Sequence, residues 1–437
     1  MTLRPGAGSY DDVSAALHWF LDVAPDRAAL EQRIQRAQQH YRVATASDGV
    51  RWPCTSRVVL NQDLVASCLA QGFALLEDPR CYDRVLGAQI VPFLRDIGQG
   101  LEVLRRRPGA VGRVRRMLTP GQEHPAACLF ELAAAGRYTR EDFEVEFLQE
   151  SGRRAGDLSI RIAGIARAMQ IECRTLRPAR YELRERAHVR RLFDRAAPWI
   201  HSRRLSVDVE LCFDVEVERI PPDYLAAHML RAVDSAAAMN AAMNDTYSWR
   251  DEFGAGSVRS LGVERAMSDI KSGAMPCGAG LARALSGRHI DDDAFFMALR
   301  ARPKPDDPRR VDELDYATVF TWQSLAEGSL AARATHLSSQ LRDIDRQLEN
   351  AELGIVHIGM RHQGDTVSPD PRRQRHLDIV RRFIPRSKVA ELHLHYYRAQ
   401  GETMPPVRLE ETVDRHSRWQ GFLLDDSRLL NPEDLSA

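Results

Sequence analysis

Between Gly156 and Arg174 the chain reads GDLSIRIAGIARAMQIECR, and this run limits what the protein can be more than any other. Ile160 and Ile162 alternate with polar neighbours, and Met169, Ile171 and Cys173 do the same a few residues on. Alternation with period two marks a strand with one buried face. The run therefore predicts two short strands joined by a tight connection. Asp157 opens the first strand; Glu172 lies fifteen residues on, near the end of the second, and Arg174 follows it. Acids placed in this way can meet at one end of a sheet, where paired carboxylates suit a hard divalent cation. Arg174 shares a face with Glu172, because side chains alternate along a strand. The same spacing also fits a surface hairpin carrying ordinary charges.

The flanks extend the pattern. CLFELAAAGRYTREDFEVEFLQE precedes the run and predicts a helix carrying Glu131, then a strand over about 143–148. Far downstream, SSQLRDIDRQLENAELGIVHIGM predicts a polar helix that feeds an apolar strand. The order is helix with Glu, strand, strand with Asp, strand with Glu-x-basic, then a late helix and strand. In this order the chain resembles the PD-(D/E)XK nuclease superfamily, over about 128–174 and again over about 336–360. The resemblance implies an α/β (α+β) restriction-endonuclease-like core, a central mixed sheet flanked by helices. It implies a metal-dependent endonuclease that cuts DNA phosphodiesters. It assigns Asp157 and Glu172 to one or two Mg²⁺ or Mn²⁺ ions, with the Cys173 backbone carbonyl beside them. Glu131 would reach the metal through water, and Gln340 or Gln347 would orient substrate.

The chain departs from the family at two places. Gly156-Asp157 stands where the family has Pro-Asp, and Arg174 where it has Lys. An arginine stays protonated and cannot act as a base, but it can hold a phosphate or stabilise charge developing on it. Asp157, Glu172, Arg174 and Glu131 are therefore the candidate catalytic residues, with metal-bound hydroxide or the substrate phosphate as the base. The alternative is a catalytically degenerate nuclease fold that serves as a nucleic-acid- or protein-binding module. A third reading is an α+β protein whose acid pair is incidental. The chain has only three lysines, Lys271, Lys304 and Lys388, among 61 basic residues, a bias typical of GC-rich bacterial genomes.

At 437 residues, 44% hydrophobic and 28% charged, the chain can bury a sizeable core in two or three domains. Its formal net charge is zero, so no global basic field draws it to nucleic acid. DNA would have to be met by local patches. These are Arg105, Arg106 and Arg107 with Arg113, Arg115 and Arg116; Arg153 with Arg154; and Arg184, Arg186, Arg190 and Arg191. The seven cysteines form no CxxC pair, which argues against a disulfide framework or a structural zinc site. No stretch of sequence reaches membrane-spanning length, and a cytoplasmic protein is expected.

Four regions follow. Residues 1–120 read as an N-terminal all-α region. Residues 121–223 read as the first part of the core, closed by the strand LSVDVELCFDVEVE, with Asp208 and Glu210 on an exposed face. Residues 224–315 read as a helical insertion. There Tyr247, Trp249 and Phe253 seal a helix end or stack on bases, Asp291-Asp292-Asp293 caps a helix AFFMALR, and 303–310 forms a linker. Residues 316–437 return to the core and a tail, with a short strand over 421–424. In KVAELHLHYYRA, Glu391, His393 and His395 share the face opposite Leu392 and Leu394, as a satisfied or solvent-facing set.

Overall fold

Strands form where the period-two pattern requires them. In the computed structural model of the chain, β2 (Glu144–Phe147), β3 (Leu158–Arg161) and β4 (Ala168–Thr175) make an antiparallel meander. β10 (Gly354–Arg361) adds parallel to β4, β11 (Val389–Gln400) parallel to β10, and β12 (Arg408–Ser417) antiparallel to β11. The resulting six-stranded mixed sheet runs β12-β11-β10-β4-β3-β2. The structure describes residues 10–45, 49–51, 59–60, 62–77, 82, 87–121, 124–148, 156–162, 167–238, 247–264, 267, 279–288, 295–303, 311–361, 371–400, 408–418 and 422–430.

Both faces of this sheet are covered. On one side lie α1 (Asp11–Val23), α2 (Arg27–Thr45), α3 (Leu64–Glu77), α4 (Val91–Gln99), α5 (Ala110–Leu118) and α6 (Pro125–Arg140). Their cores meet Leu158, Ile160, Met169, Ile171 and Cys173 of the sheet. On the other side α10 (Glu327–Gln347) lays Leu337, Leu341 and Ile344 over Val356, Ile358, Leu392 and Leu394, joined by α11 (Pro371–Arg382). Each such leucine, fully buried, contributes about 1.5–3 kcal/mol.

Between β4 and β10 the chain builds five strands of a second six-stranded sheet, and one strand from the N-terminal region completes it. Its strands are β1 (Gly49–Arg51), β5 (Val207–Phe213), β6 (Tyr247–Asp251), β7 (Gly254–Ser260), β8 (Phe295–Pro303) and β9 (Val311–Ser324). Their order is β1-β8-β9-β5-β7-β6. Helices α7 (Arg180–Arg203), α8 (Tyr224–Ala238) and α9 (Ala279–Ser286) flank it. The fold is thus α+β, with mixed sheets flanked by helices. Buried Glu185 of α7 ties the two sheets' helices together, accepting hydrogen bonds from Ser329 and from Arg333 Nη2 (2.9 Å) of α10.

Several expectations are corrected here. Region 224–315 is not wholly helical: among the described residues it contributes β6, β7, β8 and the start of β9 besides α8 and α9. AFFMALR continues as strand β8 rather than a helix, and Asp291-Asp292-Asp293, with residues 304–310 of the expected linker, lies outside the described residues. β5 belongs to the second sheet, between β9 and β7, so Asp208 is buried there and paired with Arg259 (2.7 Å) and Arg288. The all-α N-terminal region gives one strand, β1, to that sheet. The last strand among the described residues is β12; residues 422–424 form no strand, and Gly421 lies outside the described residues.

The Glu391, His393 and His395 face is buried and hydrogen-bonded, except that among the described residues His393 Nδ1 has no hydrogen-bond partner. His393 Nε2 lies 2.9 Å from Glu391, and His395 Nδ1 lies 2.6 Å from Glu411 of β12. His395 Nε2 meets His357 Nδ1 at 2.8 Å, and His357 Nε2 meets the Tyr138 hydroxyl at 2.9 Å. A carboxylate only accepts, so one arrangement satisfies the whole chain: Tyr138 donates to His357, His357 to His395, and His395 to Glu411.

Complete burial, together with neighbouring His393 and His395, holds His357 well below the usual histidine range. Burial lowers His393 as well, with Glu391 opposing. As pH falls below about 6.5 the unfolded chain takes up these protons before the folded one, so stability present above that pH drains away below it. Urea midpoints should fall between pH 7.5 and pH 5.5, by about 1.4 kcal/mol per pH unit for each histidine involved. A midpoint that holds or rises on acidification contradicts the buried-neutral assignment.

Candidate active site

The acid pair lies where the meander meets the late helix. The backbone N–H of Asp157 donates to Ile171 O (2.8 Å), which fixes the entry to β3 against β4. Its Oδ2 then accepts the Cys173 N–H at 2.8 Å. This contact places Asp157 beside Glu172, and their charges interact. Glu172 points to the α10 side of the sheet, as do Gln170 and Arg174, while Ile171 and Cys173 enter the opposite core. Gln347, in the last turn of α10, accepts a hydrogen bond from Arg174 Nη2, which selects it over Gln340.

Glu172 is 1% exposed. Burial, then the charge of Asp157, pushes its carboxyl well above the usual range, against the pull of Arg174 and Arg113. Arg174 Nε lies 2.8 Å from Glu172 Oε1 in an ion pair, and among the described residues no donor reaches Oε2. Asp157 and Arg174 are the members that reach solvent, at 18% and 37% side-chain exposure.

Glu131 reaches the same place from α6, but it meets an arginine there. Arg113, on α5, contacts Glu131 and lies 3.8 Å from Asp157 Oδ1. Burial opposes the Arg113 charge, but Glu131, with Asp157 adding, raises its pKa and keeps it protonated. α5 is aimed by its start: Gly109 has φ +83°, and a Cβ there would strike Phe147 O at 2.6 Å. Pro108 O, next to it, accepts the Phe147 N–H at 2.9 Å, docking α5 on β2. Sequence reasoning placed Arg113 only in a surface patch. Its signal was available: Ala110, Arg113, Val114, Met117 and Leu118 are the buried stripe of α5, and an arginine on such a stripe needs a buried acid.

The structure therefore brings together Asp157, Glu172, Arg174, Glu131, Cys173 and Gln347. Cys173 is tied in through its N–H, and burial with the nearby acids pushes its thiol well up. The arginine patches fare differently. Arg105 and Arg106 pair with Glu102, Arg107 bonds Phe143 O, and Arg115 bonds Val23 O. Arg153 and Arg154 lie outside the described residues. Tyr247 and Trp249 belong to β6; Trp249 stacks on His228 at 4.2 Å and donates to Tyr224 (2.9 Å), so it packs against α8.

The donor set can be tested for a cation. Two carboxylates, one of them buried and ion-paired to Arg174 through one oxygen only, suit a hard divalent ion that carbonyls and water complete. Among the described residues no group of three or more His, Cys, Asp or Glu side chains is arranged to hold a metal. Among the described residues no helix is long and apolar enough to cross a membrane. Comparison of the chain with protein-family models, with curated proteins and with solved structures finds no match.

Proposed function

We propose that the Asp157–Glu172 centre belongs to a divalent-metal-dependent nuclease acting on DNA phosphodiesters, built on a restriction-endonuclease-like core. The observation that carries this reading is the Glu172 carboxyl: buried beside Asp157, ion-paired to Arg174 through Oε1 only, with its pKa pushed up by burial and by Asp157. A divalent ion joining both acids would stabilise the ionised pair that burial disfavours. The order of elements supports the fold, with α6, β2, β3, β4, α10 and β10 in sequence and both acids and Arg174 on one rim.

Asp157 and Glu172 would hold Mg²⁺ or Mn²⁺. Such an ion polarises a phosphoryl oxygen and lowers the pKa of an attacking water. Arg174 cannot take a proton from that water. Its remaining donors bind the scissile phosphate and offset the charge that builds on it. Gln347 holds Arg174 in that orientation. Asp157 is itself held rigid by the Cys173 N–H, so its second oxygen is pre-aimed.

One observation favours a second reading. Arg174 Nε already lies 2.8 Å from Glu172, so a fixed guanidinium can supply part of a cation's charge. A catalytically degenerate module that binds nucleic acid or protein would look like this.

Cleavage separates the two. Supercoiled plasmid and a single-stranded oligonucleotide are incubated with the protein in Mn²⁺, Mg²⁺ or EDTA. The nuclease reading expects cutting in metal and none in EDTA. If the wild type leaves both uncut in Mn²⁺, and Arg174→Lys does not restore cutting, the enzyme reading is wrong and the binding module remains.

A further inference from the structure

We infer that Arg113 stands in for a second cation, so that the centre takes one divalent ion. This rests on the metal-centre reading above. Arg113 is a buried side chain, 7% exposed, delivered from the apolar stripe of α5. Its Nη2 contacts Glu131 and also faces Asp157 Oδ1 at 3.8 Å. The guanidinium therefore occupies the space between the third acid of the site and the first.

A second ion would have to sit there. Paired catalytic ions lie about 3.5–4 Å apart and need carboxylates shared or set on both sides. Glu131 is the acid available among the described residues for such a second position, and Arg113 already engages it. The charge argument agrees. Glu131, Asp157 and Glu172 bring three negative charges, and Arg113 and Arg174 bring two permanent positive ones. One divalent ion turns that single net negative charge into a single net positive one. A further one would leave extra positive charge in a desolvated place, where it is costly. Arg113 also faces Asp157 Oδ1 electrostatically, at 3.8 Å, while the Cys173 N–H holds Oδ2. It is a positioning residue as well as a counter-charge.

The test is Mn²⁺ stoichiometry, read by the electron paramagnetic resonance signal of the free ion during titration, on the full chain. The wild type should bind one Mn²⁺. Arg113→Met removes the guanidinium from Glu131, and the stoichiometry should rise to two. Because a buried Glu131 without that counter-charge can compromise folding, Arg113→Met/Glu131→Gln is measured alongside. It removes one charge of each sign and should still bind one ion, about tenfold more tightly, since the positive charge nearest Asp157 is gone. Two ions on the wild type, a folded Arg113→Met that stays at one, or a double variant that binds more weakly than the wild type each overturns the inference. No Mn²⁺ bound by the wild type overturns the metal-centre reading itself.

Discussion

Glu411→Ala should lower the unfolding free energy by about 3–5 kcal/mol, the range for breaking a buried charged network from one side. Glu411 sits on β12, an outer strand of the first sheet, yet its side chain is only 3% exposed. Its two oxygens serve four donors: His395 Nδ1 at 2.6 Å, the Tyr397 hydroxyl at 3.1 Å, and the N–H groups of Leu429 and Leu430 at 3.0 and 2.9 Å. Alanine leaves all four without that acceptor, and each buried unpaired donor costs about 1–3 kcal/mol before relaxation. It also releases the segment that carries Leu424, Leu429 and Leu430 into the core. Glu411→Gln retains a carbonyl oxygen and should cost less, about 1–2 kcal/mol. Urea unfolding of both variants measures this. A change under about 0.5 kcal/mol for alanine, the size typical of exposed sites, would mean the network does not hold the tail.

What the sequence disclosed follows from local periodicity. β3 and β4 were legible because each has one buried face, so Ile160, Met169 and Ile171 alternate with polar residues. The stripe of α10 was legible for the same reason at helical spacing. β8 was not, because Phe295, Phe296, Met297, Ala298 and Leu299 are all buried. A strand covered on both faces has no alternation to read and imitates a buried helix. β5 was recognised as a strand but assigned to the wrong sheet. Its paired residues on β7 and β9 lie 41 and more residues away, and no local signal names them.

The candidate site divides in the same way. Asp157, Glu172 and Arg174 were legible because one hairpin carries them. Glu131 was legible only through the family resemblance. Arg113 comes from another helix, and only its place on the apolar stripe of α5 marked it. The histidine chain needs His357 from β10, Tyr138 from α6 and Glu411 from β12. Only its β11 members, His393 and His395, shared a recognisable face with Glu391.

Glu172→Gln should remove the metal site while leaving the fold intact. Glutamine matches glutamate in size, and an uncharged side chain is less costly to bury beside Asp157. It supplies one neutral oxygen in place of a carboxylate, a weak ligand for a hard cation. Altering a group that merely orients a ligand already costs about 10–100-fold in metal affinity, so losing the ligand's own charge should cost at least that. The most direct measurement is anomalous diffraction from crystals soaked in Mn²⁺. For the wild type, a manganese peak should stand about 2.1 Å from a carboxylate oxygen of Asp157 and from one of Glu172, the spacing of hard-cation ligands. The Glu172→Gln crystal should lack it at the same concentration. A wild-type map with no peak between these two acids, and with Arg174 still lying across Glu172, would contradict the account.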